Sequence, residues 1–328
     1  MIISYIVIFF SAFLLVSFFI FLFKKLSFRY NLLISSGIPL IGGLAMGLGF
    51  WVVSLFVYFA RGRHPREIIG IIITSMAMFA FGVIDDRKEL SIKAKFLVQV
   101  IAVTLLILFG IKTQIVYIGN LLNIIITFLW VLGITNAFNH LDVIDGLAAG
   151  AAMIISLSFF IISLLVGNIN IAILSLTLVA ATAAFLIFNF PPAKIYMGNS
   201  GSHFLGFLLA ATAISISYAP LERKIALLSP ILILGLPLFD TTFLILARLK
   251  NKTLPFKKSN DHLALKFLSL GYSKKKALLM MLILCLFFSF CGILVSQATN
   301  LFSSVIISFV VLISLAIMLR MNKIPTNG

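Results

Sequence analysis

The chain has 328 residues, 62% hydrophobic and 10% charged, with a mean hydropathy of +1.21. Soluble globular chains run roughly 45–50% apolar and about 25% charged, so a water-soluble enzyme, a disordered chain and a disulfide-stapled secreted domain are excluded. The net charge of +16 does not point to nucleic acid in so apolar a chain, because basic residues collect in the cytoplasmic loops of membrane proteins.

A transmembrane β-barrel would alternate apolar and polar residues, whereas the runs here are continuously apolar. Runs of about 18 residues or more, enough to cross a bilayer as helices, fall near 2–23, 38–60, 67–84, 94–111, 113–133, 143–166, 169–189, 202–219, 225–247, 275–296 and 299–320. They predict an all-α polytopic integral membrane protein with about eleven transmembrane helices. Ten is the alternative count, since the divisions within 94–133 and 143–189 are loose. No repeat, linker or soluble domain interrupts them, so 1–328 reads as one membrane domain.

The first run has no base before it and Lys24, Lys25 and Arg29 after it. A cleaved signal peptide has the opposite polarity, so the run reads as an uncleaved helix with its N-terminus outside. The segments 24–37, 85–93, 134–142, 190–201, 248–274 and the C-terminal tail then lie in the cytoplasm. Of 25 Lys+Arg, only Arg61, Arg63, Arg66, Lys112, Arg223 and Lys224 fall outside, which is the positive-inside bias this orientation requires. Cys285 and Cys291, six apart in one apolar run, read as packing thiols.

The nine acids are the informative residues. Only Glu67 and Glu222 fall on the outer side; Asp85, Asp86, Glu89, Asp142, Asp145, Asp240 and Asp261 lie at or near cytoplasmic helix ends or in the large basic loop. Carboxylates at such depths are costly and tend to be functional, so this placement predicts a site at the inner membrane surface. Asp85 and Asp86 end the third helix, and adjacent carboxylates repel unless a cation stands between them or one is protonated. Mg²⁺ suits such oxygens and completes its shell with water and phosphate; a solvated loop pairing with Arg87 and Lys88 is the plainer reading. Asp142 and Asp145 share a face if the sixth helix begins there, although an N-cap with dipole complementation would explain one of them. The loop 189–202 is rich in turn formers and opens into the eighth helix, whose N-terminus could meet phosphate. Asp240, within an apolar run, needs a partner or a cavity.

Taken in order, these pieces resemble the polyprenyl-phosphate N-acetylhexosamine-1-phosphate transferase family. The resemblance runs from about residue 37 to 275, on Pro39 with Gly42-Gly43, Asp85-Asp86, Asn136 through Gly146, Asn189 with Pro192-Ala193 and Met197-Gly198, Pro237 with Asp240, and Asp261-His262-Leu263. It implies transfer of an N-acetylhexosamine 1-phosphate from a UDP-sugar to polyprenyl phosphate, such as undecaprenyl phosphate. UMP would be released at the cytoplasmic face, in cell-wall or surface-polysaccharide synthesis. The implied cofactor is Mg²⁺, with Mn²⁺ as a substitute, and homodimerisation is left open. By the same resemblance Asp85 deprotonates or orients the attacking lipid phosphate, with Asp86 beside it. Asp86, Asp142, Asp145 and Asn199 are the implied metal ligands. Asn136, Asn139, Asp142, Asp145, Asn189, Tyr196, Asp240 and His262 are the implied substrate contacts, with Tyr196 where an aromatic stacks on uracil and His262 near the sugar phosphate.

Three departures stand out. Asn199 occupies the position of a metal-binding Asp, Ala264 and Leu265 replace two histidines, and Ser35 and Ser36 stand where many members carry a base before Pro39. Asn199 motivates an alternative, a non-catalytic homologue that binds UDP-sugar or polyprenyl phosphate. A secondary transporter is the remaining class, but it would place its site near the midplane and often show inverted repeats.

Overall fold

In lipid the backbone can satisfy its polar groups only internally, and the computed structural model resolves the apolar runs into helices. It describes residues 2–62, 65–218, 222–250, 261–322 and 324. Arg63 and residues 251–260 of the large basic loop, both used in the orientation argument, lie outside the described residues.

Helix α1 (Ile2–Tyr30) leads into a two-residue hairpin, β1 (Ile34–Ser35) and β2 (Ile38–Pro39), paired antiparallel with Ile34 opposite Pro39. There follow α2 (Gly42–Ala60), α3 (Arg66–Arg87), α4 (Ile92–Leu108), α5 (Gly119–Leu141), α6 (Leu147–Leu165), α7 (Ile169–Asn189) and α8 (Gly198–Ile214). The chain ends with the short α9 (Ser229–Ile233), α10 (Gly235–Lys250), α11 (Leu263–Ser269), α12 (Lys274–Gln297) and α13 (Asn300–Met321). Several starts carry the local signal that specifies them: Ser91, Asn168, Ser273 and Thr299 accept hydrogen bonds from backbone N–H groups in the first turns of α4, α7, α12 and α13.

The bundle is organised around α8, in which every residue from Ser200 to Ala213 is buried. Small residues let its neighbours approach. A Cβ on Gly82 of α3 would come within 2.4 Å of the Ser200 Cα, and one on Gly206 within 2.8 Å of the Thr135 Cα of α5. Such contacts are how helices associate where lipid removes the hydrophobic drive between them. At the periphery, α1 and α13 present Phe10, Leu14, Phe18, Phe21, Leu301, Phe302, Phe309 and Leu312 outward. Apolar surface of that extent is tolerable against lipid and not against water.

The structure is therefore an all-α polytopic membrane protein, but the count of eleven is not reproduced by length and composition. Among the described residues, α1, α2, α3, α5, α6, α7, α12 and α13 are long and apolar enough to cross, and a bent pair makes a ninth. The helices α4 and α8 reach 17 residues each. The apolar run near 225–247 is broken rather than continuous, with 224–233 and 235–249 bent by 74°. Pro237 accounts for the break, whereas Pro230 stands in the first turn of α9, where proline is tolerated. Pro237 has no N–H to give the Ile233 carbonyl, and that carbonyl accepts instead from the Ser289 hydroxyl of α12 at 3.3 Å.

A second correction concerns Asp142 and Asp145. The sixth helix starts at Leu147, so the two acids stand in the turn between α5 and α6 rather than on one helix face. Asp142 closes α5 with a non-helical backbone, and Gly146, at φ +81°, re-aims the chain into α6.

Candidate active site

The ends of α3, α5 and α7, the starts of α8 and α12, and the turns beside them enclose a cleft of about 610 Å³. Its lining includes Leu40, Asp85, Asp86, Glu89, Asp142, Val143, Ile144, Asp145, Asn189, Tyr196, Met197, Gly198, Asn199 and Lys274. Helix ends far apart in sequence thus gather their acids at one place. Like charges collected this way repel, so each carboxylate needs a structural reason to stay.

Asp86 sits against the start of α8. Its two oxygens accept from the backbone N–H groups of Asn199 at 2.6 Å and Ser200 at 3.0 Å. These are unsatisfied donors of a first helical turn, and the dipole there favours an anion. Gly198 makes the approach possible. It has φ +73°, and a Cβ on it would meet the Asp86 Oδ2 at 2.6 Å. Asp85 is held differently. It accepts from Leu90 N–H at 2.8 Å and from Lys95 Nζ at 2.6 Å, with its side chain fully buried.

Asp142 is the contrast. Among the described residues nothing donates to its carboxylate, and its surface is open to the cleft. The surrounding protein, with Asp86 and then Asp145 adding like charge, pushes its pKa up to about 7. Asp145 is mostly buried; it accepts from Ala193 N–H at 3.3 Å and faces Lys274 Nζ at 4.0 Å.

The asparagines divide into two groups. Asn139 donates to the Asn199 Oδ1 and to the Ser202 hydroxyl, each at 3.0 Å, which fixes the Asn199 amide at the cleft. Asn189 is buried, accepts from Gly146 N–H at 2.8 Å and donates to the Ile195 carbonyl at 2.9 Å; it ties the turn carrying Asp145 to the loop carrying Tyr196. Asn136 is not among the cleft-lining residues. It exchanges two amide hydrogen bonds with Gln99, at 2.9 and 3.2 Å, and so joins α5 to α4.

Asp240 and His262 form a separate buried pair. The His262 Nδ1 lies 2.8 Å from the Asp240 Oδ2, Leu263 N–H donates to Oδ1 at 2.8 Å, and the His140 ring is 6.4 Å from that of His262. The partner that Asp240 requires is therefore His262, and neither lines the cleft.

Of the expected site residues, Asp85, Asp86, Asp142, Asp145, Asn189, Tyr196 and Asn199 come together at the cleft, with Asn139 directly behind. Sequence reasoning missed Glu89, Lys95 and Lys274 as site residues. Glu89 was the third acid of its segment, and the three lysines opening α12 were a readable oddity at a helix start. Among the described residues no three His, Cys, Asp or Glu side chains converge in metal-ligand geometry. Mg²⁺ does not require that, because it is commonly bound by one or two carboxylates with water and substrate phosphate completing the shell. The donors here are all oxygens, and the unbonded Asp142 beside Asp86 and Asp145 fits a hard cation.

The chain that forms this cleft is similar to a recognised class of membrane transferase. The family model described as glycosyl transferase family 4 matches residues 68–217. A probable undecaprenyl-phosphate N-acetylglucosaminyl 1-phosphate transferase of Bacillus subtilis is 33% identical over 291 residues, 85% of this chain and 79% of that protein. The decaprenyl-phosphate N-acetylglucosaminephosphotransferase of Mycolicibacterium smegmatis is 30% identical over 276 residues, 74% of this chain and 68% of that protein. A phospho-N-acetylmuramoyl-pentapeptide-transferase of Halalkalibacterium halodurans is 32% identical over 200 residues, 55% of this chain and 61% of that protein. The chain belongs to glycosyl transferase family 4, in agreement with the resemblance carried by its motifs. The matched stretch contains the acids at 85–86 and 142–145 and the 189–199 loop, and excludes Asp240 and His262.

Proposed function

We propose that the protein transfers an N-acetylhexosamine 1-phosphate from a UDP-sugar to a polyprenyl phosphate and releases UMP. The observation that carries this reading is the acidic cleft, where helix ends and adjoining turns hold Asp85, Asp86, Asp142 and Asp145 together. Charge concentrated at such cost suits a reaction between two phosphate-bearing substrates with a divalent cation between them.

Mg²⁺ is the proposed cofactor, with Mn²⁺ as a substitute. Asp86, Asp142 and Asp145 would hold it, with the Asn199 amide oxygen nearby. Bound there, it would offset the charge of the two substrates and of the departing nucleotide. The chain's own groups do the rest. Asp85, ion-paired with Lys95, is an orienting group near the lipid phosphate. Asp142, which accepts no hydrogen bond among the described residues, is the carboxylate available to bind. Tyr196 offers a ring for the uracil. Asn139 and Asn189 keep the loop from Tyr196 to Asn199 in register. His262, outside the cleft lining, would reach the sugar phosphate only after a rearrangement near α11.

Counting α4, α8 and the bent segment as crossings restores eleven, with the N-terminus outside and the cleft facing the cytoplasm. Residues 40, 85, 86, 89, 142–145, 189, 196–199 and 274, which line the cleft together, then share one membrane side, and 1–328 acts as a single domain.

Asn199 favours a second reading, a homologue that binds without turnover, since an amide brings no charge to the metal. UMP release from a panel of UDP-sugars, with purified protein, undecaprenyl phosphate and Mg²⁺ or EDTA, separates the two. Mg²⁺-dependent release supports the transferase; nucleotide binding without release supports the binder.

A further inference from the structure

The first turn of α12 carries a local conflict. Lys274, Lys275 and Lys276 stand at a helix N-terminus, where the dipole disfavours positive charge. Ser273 caps the turn by accepting from Lys276 N–H at 3.3 Å. Lys276 lies over the Tyr272 ring at 4.3 Å, and Lys275 is exposed. Lys274 instead lines the cleft, its Nζ 4.0 Å from the Asp145 Oδ2 and its side chain 64% exposed. Packing brings it there. Leu278, one turn further on, lies against Gly146, and Leu282 against Gly150, so the register of α12 on α6 sets Lys274 beside the residue preceding Gly146.

Among the described residues lining the cleft, Lys274 is the only base, against Asp85, Asp86, Glu89, Asp142 and Asp145. An ion pair this long and this exposed contributes little to stability. The ammonium is thus tethered loosely at the rim of a site for anions, on a flexible stem that reaches inward.

We propose that Lys274 is a binding residue for the nucleotide substrate, its ammonium leaving Asp145 to bind a phosphate oxygen of the nucleotide diphosphate. The inference rests on the reading of the cleft as a nucleotide-sugar site. The nucleotide is favoured over the lipid phosphate by location. Lys274 faces Asp145, and Asn189 ties the turn beside Asp145 to the residue preceding Tyr196, whereas Asp85 and Asp86 are brought in by α3. The lipid is anchored by its chain in the membrane, while the nucleotide must be captured from water, the task an exposed rim cation serves.

The test uses the full chain with undecaprenyl phosphate, UDP-N-acetylglucosamine and Mg²⁺, and compares Lys274→Gln, Lys274→Arg and Lys275→Gln. Losing one charge-assisted contact should raise the KM for the nucleotide sugar about tenfold. It should leave the KM for the lipid unchanged and kcat within about threefold, since the contact forms on binding. Lys274→Arg should recover most of the loss, and Lys275→Gln, the same charge change on the same turn, should match wild type. Calorimetric titration with UDP should weaken by a similar factor in Lys274→Gln. An unchanged nucleotide KM, or an equal rise in the lipid KM, overturns the proposal. If the wild type releases no UMP from any UDP-sugar, the functional reading fails by itself. The titration then decides on Lys274: weaker UDP binding in Lys274→Gln sustains it, and equal or absent binding overturns it.

Discussion

Asn199→Asp adds a charge at the cleft with almost no change of shape, so its effects on stability and on metal binding can be read separately. The Asn199 Oδ1 accepts from Asn139 at 3.0 Å, and its backbone N–H is held by Asp86 at 2.6 Å. A carboxylate keeps both bonds, because Asp accepts wherever Asn accepts. Opposite unit charges about 4 Å apart interact by about 4 kcal/mol at an effective dielectric of about 20. Dehydration of the new group and repulsion from Asp86, Asp142 and Asp145 oppose much of this. A remainder of about 1–2 kcal/mol corresponds to about five- to thirtyfold tighter Mg²⁺ binding. The expected result is UMP release that half-saturates at about tenfold lower Mg²⁺. In EDTA the same variant should melt below wild type, since only repulsion is then added, and Mg²⁺ should reverse the order. A Mg²⁺ dependence identical to wild type, with no sign change in melting temperature, would refute the placement of residue 199 at the metal.

Three further outcomes are expected. Gly198→Ala forces a left-handed backbone, costing about 1–2 kcal/mol. It also drives a Cβ toward the Asp86 carboxylate, so UMP release should fall more than tenfold by loss of the two bonds to Asn199 and Ser200; thermal unfolding together with kcat checks this, and a variant normal in both would contradict the cradle. For Asp142, a pKa raised to about 7 means that its ionisation favours the unfolded chain. Stability contributed by this group is present below about pH 4, the unfolded value, and is lost as pH rises toward 7. In EDTA the melting temperature of Asp142→Asn relative to wild type should therefore climb between about pH 4 and 7 and then level off; a flat difference would mean that the like charges are not felt. Asn136→Ala should cost about 1–2 kcal/mol by breaking the reciprocal amide pair with Gln99, with substrate KM values unchanged, whereas a selective KM effect would return Asn136 to the binding surface.

How far the sequence carried the account follows from what each property depends on. Membrane residence, helicity and approximate span positions follow from runs of apolar residues, because lipid admits only self-satisfied backbone and run length is written along the chain. The acids of the candidate site were readable for a related reason. In a chain with nine Asp+Glu, a carboxylate at a helix end is conspicuous, and Asp85, Asp86, Asp142 and Asp145 do line one cleft.

What the residues do for one another required the tertiary structure. Asp85 and Asp86 are neighbours of the same type, yet one is paired to Lys95 and the other caps α8, more than a hundred residues away. The break at residue 234 needed Ser289 to accommodate the carbonyl that Pro237 leaves without a donor. The helix expected to carry Asp142 and Asp145 starts only at Leu147, because the turn ends in a left-handed Gly146 whose N–H is claimed by Asn189 from another helix. Asn136 and Asn139 are one helical turn apart, yet Asn136 joins Gln99 and Asn139 meets Asn199. Lys274 reaches the cleft because Leu278 settles on Gly146, at the entry to α6, and Leu282 on Gly150 within it. Local pattern determines which elements form and which residues are costly to place there; long-range packing decides which partner each costly residue meets, and through that partner its chemistry.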